Sequence, residues 1–118
     1  MRLLLVEDDP LIRMSLAAGL AEHGFEIAEA LSAEMALDMM DAATPDIVAT
    51  DINLGSGLTG LELADRVHGV RPDLPVVFVS GGLHGVGGRA LASFEAFLPK
   101  PFDVEELVAV ARRLTGMN

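Results

Sequence analysis

Short apolar segments alternate along the chain with longer segments in which the apolar residues have helical spacing. Each short segment has too few residues for a helix, and several are rich in β-branched residues, so we predict that they form strands. Parallel strands need connections that return over the sheet, so the alternation predicts an α/β fold, a doubly wound (βα)5 five-stranded parallel sheet. The predicted strands lie at residues 3–6, 25–28, 47–49, 76–79 and 94–98.

The predicted helices begin at residues that commonly cap helix N-termini. The final helix has the most complete signals, with acidic residues in its first turn and Arg112 and Arg113 in its last, as the helix dipole favours. Five glycines between residues 81 and 93 predict a short or mobile fourth helix. The methionines of the second helix have core spacing. The N-cap candidates are Asp9, Ser32, Thr59 and Asp103, and the methionines are Met35, Met39 and Met40.

Composition narrows the classes of protein to which the chain can belong. Its 118 residues, 51% of them hydrophobic, predict a single domain over residues 1–118. Eighteen acidic against eight basic residues give a net charge of −10, which argues against direct nucleic-acid binding. The chain has no cysteine, which fits a reducing cytoplasm, and no apolar run long enough to span a membrane. We therefore expect a cytoplasmic protein without a membrane partner.

Polar side chains follow four of the five predicted strands, where open α/β sheets bind their ligands. Glu7 and Asp8 follow the first strand, Asp51 the third, Ser80 the fourth and Lys100 the fifth. If the first and third strands are neighbours, the carboxylates converge, and two of them about 4 Å apart repel by roughly 4 kcal/mol at an effective dielectric of 20. Oxygen donors of this kind favour Mg²⁺, for which Mn²⁺ can substitute.

Simpler interpretations exist for some of these residues. Acids after a strand can merely cap the next helix, which explains Asp9 before Pro10 but not Glu7 and Asp8. Ser80 fits a turn equally well. Lys100 is the only lysine in the chain and lies between two prolines, which is unusual for a solvated surface lysine. Its compact ammonium can meet a single anionic oxygen as a point charge.

Taken together, these motifs resemble the receiver domain of two-component response regulators over residues 2–115. The resemblance implies a flavodoxin-like strand order of 2-1-3-4-5. It implies that Asp51 accepts a phosphoryl group from a sensor histidine kinase or a histidine phosphotransfer protein. It also implies Mg²⁺ held by Glu7, Asp8, Asp51 and the backbone carbonyl of Asn53. The motifs are residues 6–10 (VEDDP), Asp51, Ser80 and the Lys100-Pro101 pair.

The resemblance further implies how such a switch works. Lys100 would pair with the phosphoryl oxygens, Ser80 would move to hydrogen-bond them, and Phe97 falls at the position of the switch aromatic. A downstream protein target would bind the face formed by the predicted fourth helix, the fifth strand and the final helix. The chain would then be a phosphoacceptor domain and not an enzyme. Two questions remain open: whether it catalyses its own phosphorylation and dephosphorylation, and whether it stands alone or is part of a longer protein.

One departure from the family pattern and several alternatives accompany this interpretation. The loop at residues 53–60 is one residue longer than usual and lacks the usual proline. The main alternative is a pseudo-receiver, which binds partners without being phosphorylated. Residues 85–90 match G-x-G-x-x-A but lie six residues past a strand, unlike a dinucleotide site, and an FMN site conflicts with the acidic first turn. His23, His68 and His84 lack ligand spacing.

Overall fold

Strand and helix alternate in the computed structural model, which describes residues 1–81 and 89–116. The predicted α/β class is therefore confirmed, and each strand boundary lies within two residues of the predicted one. The strands are β1 (Arg2–Val6), β2 (Glu26–Ala30), β3 (Ile47–Asp51), β4 (Val76–Ser80) and β5 (Glu95–Pro99). The helices are α1 (Pro10–Glu22), α2 (Ala33–Ala43), α3 (Gly60–Val70) and α4 (Val104–Thr115).

All five strands pair in parallel, in the predicted order β2-β1-β3-β4-β5. The chain moves outward from β1 to β2 and then returns to the other side of β1 to form β3. This reversal makes the carboxyl ends of β1 and β3 adjacent with no helix crossing between them. Such a switch point is where open α/β sheets form their ligand crevice.

The sheet separates two apolar layers. Because successive side chains of a strand point to opposite faces, Leu3 and Leu5 of β1 pack with α1 and α4, whereas Leu4 and Val6 pack with α2 and α3. All four of these side chains are buried. Full burial of such a side chain contributes about 1.5–3 kcal/mol, so β1 is fixed from both sides.

The four predicted N-caps are confirmed. The Asp9 carboxylate accepts from the amides of Leu11 and Ile12, and the Ser32 hydroxyl accepts from the Met35 amide. Thr59 and Asp103 each form a reciprocal capping box with the glutamate three residues later. The caps satisfy amides that would otherwise lack partners and set where each helix begins after its strand.

Some sequence expectations fail or fall outside the described residues. Met35 is 40% exposed, because Ala33 and Ala36 occupy the buried positions of α2, whereas Met39 and Met40 are partly buried against the core as predicted. Residues 82–88 lie outside the described part of the chain, and they include His84 and most of both the predicted fourth helix and the motif at residues 85–90. Residues 89–92 are described and are not helical. No helix in the described ranges is long and apolar enough to cross a bilayer.

Candidate functional site

The carboxyl ends of β1, β3, β4 and β5 surround a cleft of about 460 Å³. Asp51 and Ser80 are the last residues of β3 and β4, and the registry pairs Asp51 with Val79 and Ser80 with Pro99. Lys100 follows β5 directly. The residues that line the cleft are Asp8, Asp51, Asn53, Gly55, Ser80, Gly81 and Lys100. The structure thus brings together most of the side chains expected to act together.

Three carboxylates meet at the ends of β1 and β3. Each of Glu7, Asp8 and Asp51 offers an oxygen, and these oxygens all lie within 4.8 Å of one another. Glu7 is 3% exposed and Asp51 8%, whereas Asp8 is exposed. Hard divalent cations prefer carboxylate oxygens arranged in this way, so the donor set fits Mg²⁺ or Mn²⁺.

Lys100 lies against two of these acids. Its ammonium Nζ is 2.9 Å from Asp51 Oδ2 and 3.3 Å from Glu7 Oε1, and its peptide bond to Pro101 is cis. Burial lowers the pKa of Lys100, but the hydrogen bond to Asp51 and the attraction of Asp51 and Glu7 outweigh burial, so the pKa lies above its ordinary value. Lys100 is therefore a fixed positive charge beside the Asp51 carboxylate.

The surroundings of Glu7 disfavour the ionised form of its carboxyl group. Burial raises the pKa of its carboxyl, and the neighbouring Asp8 and Asp51 raise it further, against the hydrogen bond from the Asp9 amide and the charge of Lys100. Among the described residues, Lys100 is the one cationic side chain within ion-pair distance of the three acids. The cluster therefore has too little positive charge in the protein alone.

The loop between β3 and α3 forms one wall of the cleft and is closed at its base. The Gly60 amide donates to the Ile52 carbonyl at 2.8 Å, which brings the two ends of the loop together. A Cβ at Gly60 would overlap the carbonyl oxygen of Asp51, so only glycine allows α3 to begin here. Leu54 is 5% exposed and anchors the loop in the core.

The outer part of this loop depends on two glycines and one glutamate. Gly55 and Gly57 have φ of 81° and 94°, and the Gly55 amide donates to Asn53 Oδ1 at 3.2 Å. Glu34, in the first turn of α2, accepts from the Leu58 amide at 2.9 Å. This contact could not be predicted from the sequence, because 24 residues separate Glu34 from Leu58 and neither belongs to a recognisable motif.

Phe97 lies apart from the cleft. It is half-buried on β5 and packs against the apolar layer of α2 and α3. Ser80, in contrast, is 8% exposed at the cleft itself. The two residues of the expected switch therefore occupy neighbouring strands, but only Ser80 lines the cleft.

A second group of buried charge lies at the far edge of the sheet and was not foreseen. The Glu95 side chain, 4% exposed, lies 3.3 Å from Arg89 and 3.9 Å from His68, and its Oε1 accepts from the Ala92 amide at 2.9 Å. Arg89 also pairs with Asp65 at 2.9 Å and stacks over the Phe78 ring. Spacing could not reveal the group, because its members come from α3, β5 and the segment before β5.

Comparison with known proteins places these features in context. A family model of the response regulator receiver domain matches residues 3–112. The nitrogen assimilation regulatory protein NtrX of Azorhizobium caulinodans is 36% identical, with 94% of this chain and 25% of that protein covered. Response regulator MprA of Mycobacterium tuberculosis is 34% identical, with 96% and 50% covered. The chain thus spans a quarter to a half of the length of these curated relatives.

Solved structures agree with the sequence comparison. The crystal structure of the receiver domain of NtrX from Brucella abortus matches with a TM-score of 0.84 at 32% identity, with 98% of this chain and 99% of that chain covered. The receiver domain of the hybrid histidine kinase CckA matches with a TM-score of 0.82 at 29% identity, covering 98% and 99%. The likeness therefore extends over the whole fold.

Proposed function

This chain belongs to the response regulator receiver domain family, and we propose that it is a cytoplasmic switch that accepts a phosphoryl group on Asp51. The donor is the phosphohistidine of a sensor histidine kinase or of a histidine phosphotransfer protein. The observation that carries this proposal is the convergence of Glu7, Asp8 and Asp51 at one strand edge, with Lys100 2.9 Å from Asp51.

Asp51 is suited to be the nucleophile because its carboxylate is held in place and opens onto the cleft. A carboxylate oxygen of Asp51 attacks the phosphorus and forms an acyl phosphate. The bond from phosphorus to the histidine nitrogen breaks, and its electron pair remains on the imidazole. In-line transfer of this kind needs mainly positioning and neutralisation of charge.

The proposed metal ion would bind at the carboxylate cluster. We expect Glu7, Asp8, Asp51 and the backbone carbonyl of Asn53 to hold Mg²⁺, with Mn²⁺ as a substitute. When bound, this ion would offset the negative charge that the acids and the incoming phosphoryl oxygens concentrate at the cleft. The shared location of Asp8, Asp51 and Asn53 on the cleft wall supports this assignment.

Lys100 and Ser80 serve the phosphoryl group after transfer. Lys100 exchanges part of its pairing with Asp51 for a phosphoryl oxygen, and the Ser80 hydroxyl donates to another. Movement of Ser80 at the end of β4 would then change the packing of Phe97 on the neighbouring strand. The face of β5 and α4, together with the segment between β4 and β5, presents the change to a downstream protein.

The mouth of the cleft offers a surface for the phosphodonor. Near the start of α1, Leu11 is 79% exposed, Ile12 41% and Met14 61%. Ile12 also lines a second cleft with Lys100, Pro101 and Phe102. Exposed apolar groups beside a charged site are typical of protein-interaction surfaces, and we assign this one to the histidine-bearing partner.

Intact mass spectrometry after incubation with acetyl phosphate, with and without Mg²⁺, tests the proposal. Wild type should gain one phosphoryl adduct only when the metal is present, and Asp51→Asn should gain none. The decay of the adduct measures any dephosphorylation catalysed by the domain itself. No adduct in wild type, with no response to beryllofluoride, would instead support a pseudo-receiver that binds partners without phosphorylation.

A further inference from the structure

The wall of the cleft that carries Asn53 and Gly55 is tied to α2 by one side chain. Glu34 accepts from the Leu58 amide at 2.9 Å, directly before Thr59 caps α3. A Cβ at Gly57 would lie 2.7 Å from Glu34 Oε2, so the loop backbone passes close to the carboxylate. Glu34 thus lies against the loop at Gly57 and Leu58.

The loop needs such a tie because its own geometry is permissive. Gly55 and Gly57, both at positive φ, flank the exposed Ser56, and glycine loses more conformational freedom on ordering than any other residue. Leu54 and the hydrogen bond from Gly60 to Ile52 fix the start and the base of the loop, and the partly buried Leu58 side chain packs against the core, which leaves residues 55–57 exposed. Between Leu54 and Thr59, the contact with Glu34 is the long-range hydrogen bond that the described residues provide.

The contact is also electrostatically favourable. The hydrogen bond from the Leu58 amide, followed by that from its own amide in the first turn of α2, lowers the pKa of Glu34 below its ordinary value. Glu34 is therefore ionised at neutral pH, and a charged acceptor makes a stronger hydrogen bond than a neutral one.

We propose that Glu34 is a positioning residue for the cleft, which holds the Asn53–Gly55 wall in its cation-binding arrangement through Leu58. Glu34 touches neither the phosphoryl group nor the metal; it reduces the ordering that the loop must undergo when a cation binds. This inference rests on the proposed function, because it assigns a role in Mg²⁺ affinity.

Two substitutions separate this role from a general effect of charge. Glu34→Ala removes both the acceptor and the charge, whereas Glu34→Gln keeps an acceptor oxygen and removes only the charge. Asp38→Ala is a matched control, because Asp38 is an exposed acid of the same helix with no hydrogen bond to the loop among the described residues. The chain has neither Trp nor Tyr, so amide NMR of the ¹⁵N-labelled protein is a better readout than fluorescence.

Titration with Mg²⁺, followed at the amides of Asn53 and Gly55, gives the dissociation constant of each variant. Glu34→Ala should weaken binding by about fivefold, because Glu34 is exposed to solvent and a contact with an exposed charged group contributes up to about that factor. Glu34→Gln and Asp38→Ala should stay within about twofold of wild type. Equal affinity in wild type and Glu34→Ala would overturn the proposal, as would equal weakening in all three variants.

Hydrogen exchange at the Leu58 amide, measured without metal, tests the same contact independently. Exchange should be faster in Glu34→Ala than in wild type and close to wild type in Glu34→Gln. Unchanged exchange in Glu34→Ala, while wild type still binds Mg²⁺, would overturn this inference alone. If wild type binds no Mg²⁺, the proposed function fails at its metal, and the effect on affinity proposed for Glu34 fails with it.

Discussion

Two groups of buried acids lie at different edges of the same sheet, and they differ in how their charge is balanced. Glu95 has Arg89 at 3.3 Å, His68 at 3.9 Å and the Ala92 amide at 2.9 Å. At the cleft, Glu7, Asp8 and Asp51 share Lys100. The charge of Glu95 is balanced within the protein, whereas three carboxylates at the cleft share a single positive charge among the described residues.

The difference teaches how to separate a structural acid from a reactive one. Burying an ionised group is costly unless it is paired and hydrogen-bonded, so a satisfied acid such as Glu95 adds rigidity without inviting a ligand. A cluster of acids with too little positive charge retains this free-energy cost until a cation binds. Burial alone does not distinguish the groups, since Glu7, Asp51 and Glu95 are all at most 9% exposed.

The largest effect should follow from removing the nucleophile at the cleft. Asp51→Asn is nearly isosteric, and it should lower the rate of phosphorylation by acetyl phosphate more than about 10⁴-fold, as loss of a nucleophile does in other proteins. The phosphorylated fraction is measured by intact mass, and circular dichroism confirms the fold. Substantial labelling of the variant would place the acceptor elsewhere.

Removing the acid of the balanced group should affect stability instead of chemistry. Glu95→Ala leaves Arg89 with only the exposed Asp65 as an ion-pair partner and removes the acceptor of the Ala92 amide, and should lower the free energy of unfolding by about 3 kcal/mol. Urea denaturation followed by circular dichroism measures this change. The phosphorylation rate per folded molecule should match wild type; a large loss of rate would mean that the two groups are coupled.

Addition of a cation should sharpen the contrast. Mg²⁺ at a hundredfold excess over its dissociation constant should raise the free energy of unfolding by about 2.7 kcal/mol if only the folded state binds it. The increase should persist in a Glu95→Ala background, because the two groups lie at different edges. A melting curve that Mg²⁺ does not shift would remove the metal from the proposed site.

The smallest effect should come from removing the negative charge of Glu7. The pKa of Glu7 is raised above its ordinary value of 4.5, so the folded state favours the protonated form. The ionised carboxylate therefore costs stability at neutral pH, and the cost disappears as the pH falls through the folded-state pKa and below 4.5.

Glu7→Gln should accordingly raise the metal-free stability at pH 7, by less than Mg²⁺ does, with the gain vanishing in acid. The same variant should bind Mg²⁺ more weakly. Urea denaturation at pH 7 and pH 4 measures the gain, and Glu22→Gln serves as a control, because Glu22 is exposed and forms no ion pair among the described residues. A loss of stability at pH 7 would show that pairing with Lys100 outweighs the burial of Glu7.

The sequence predicted the parallel sheet, because this depends on local patterns and on rules of parallel connection, whereas the strand order, and with it the strand ends that meet, came from the resemblance to receiver domains. Asp9 before Pro10 and Thr59 before Glu62 are likewise short-range signals, and both caps are confirmed. Met35 was placed wrongly, since spacing identifies a helix more reliably than the rotation of the helix against its neighbours.

Contacts between distant segments were not predictable in this way. Glu34 reaches Leu58 across 24 residues, and Glu95 meets Arg89 and His68 only after three elements have packed. Such pairs depend on side-chain direction in the finished fold. The roles assigned to Asp51, Lys100, Ser80, Phe97 and the metal ligands stay predictions until the experiments above are done.

The hydrogen bond from Gly60 to Ile52 closes the β3–α3 loop at its base, and Ser56 lies exposed at its apex between two glycines. Chain length at the apex is therefore separable from the position of Asp51. Exposed loop tips are also the sites where inserted peptides are tolerated best. An epitope or a sensor module introduced after Ser56 would sit beside the cleft while both stems of the loop remain in place.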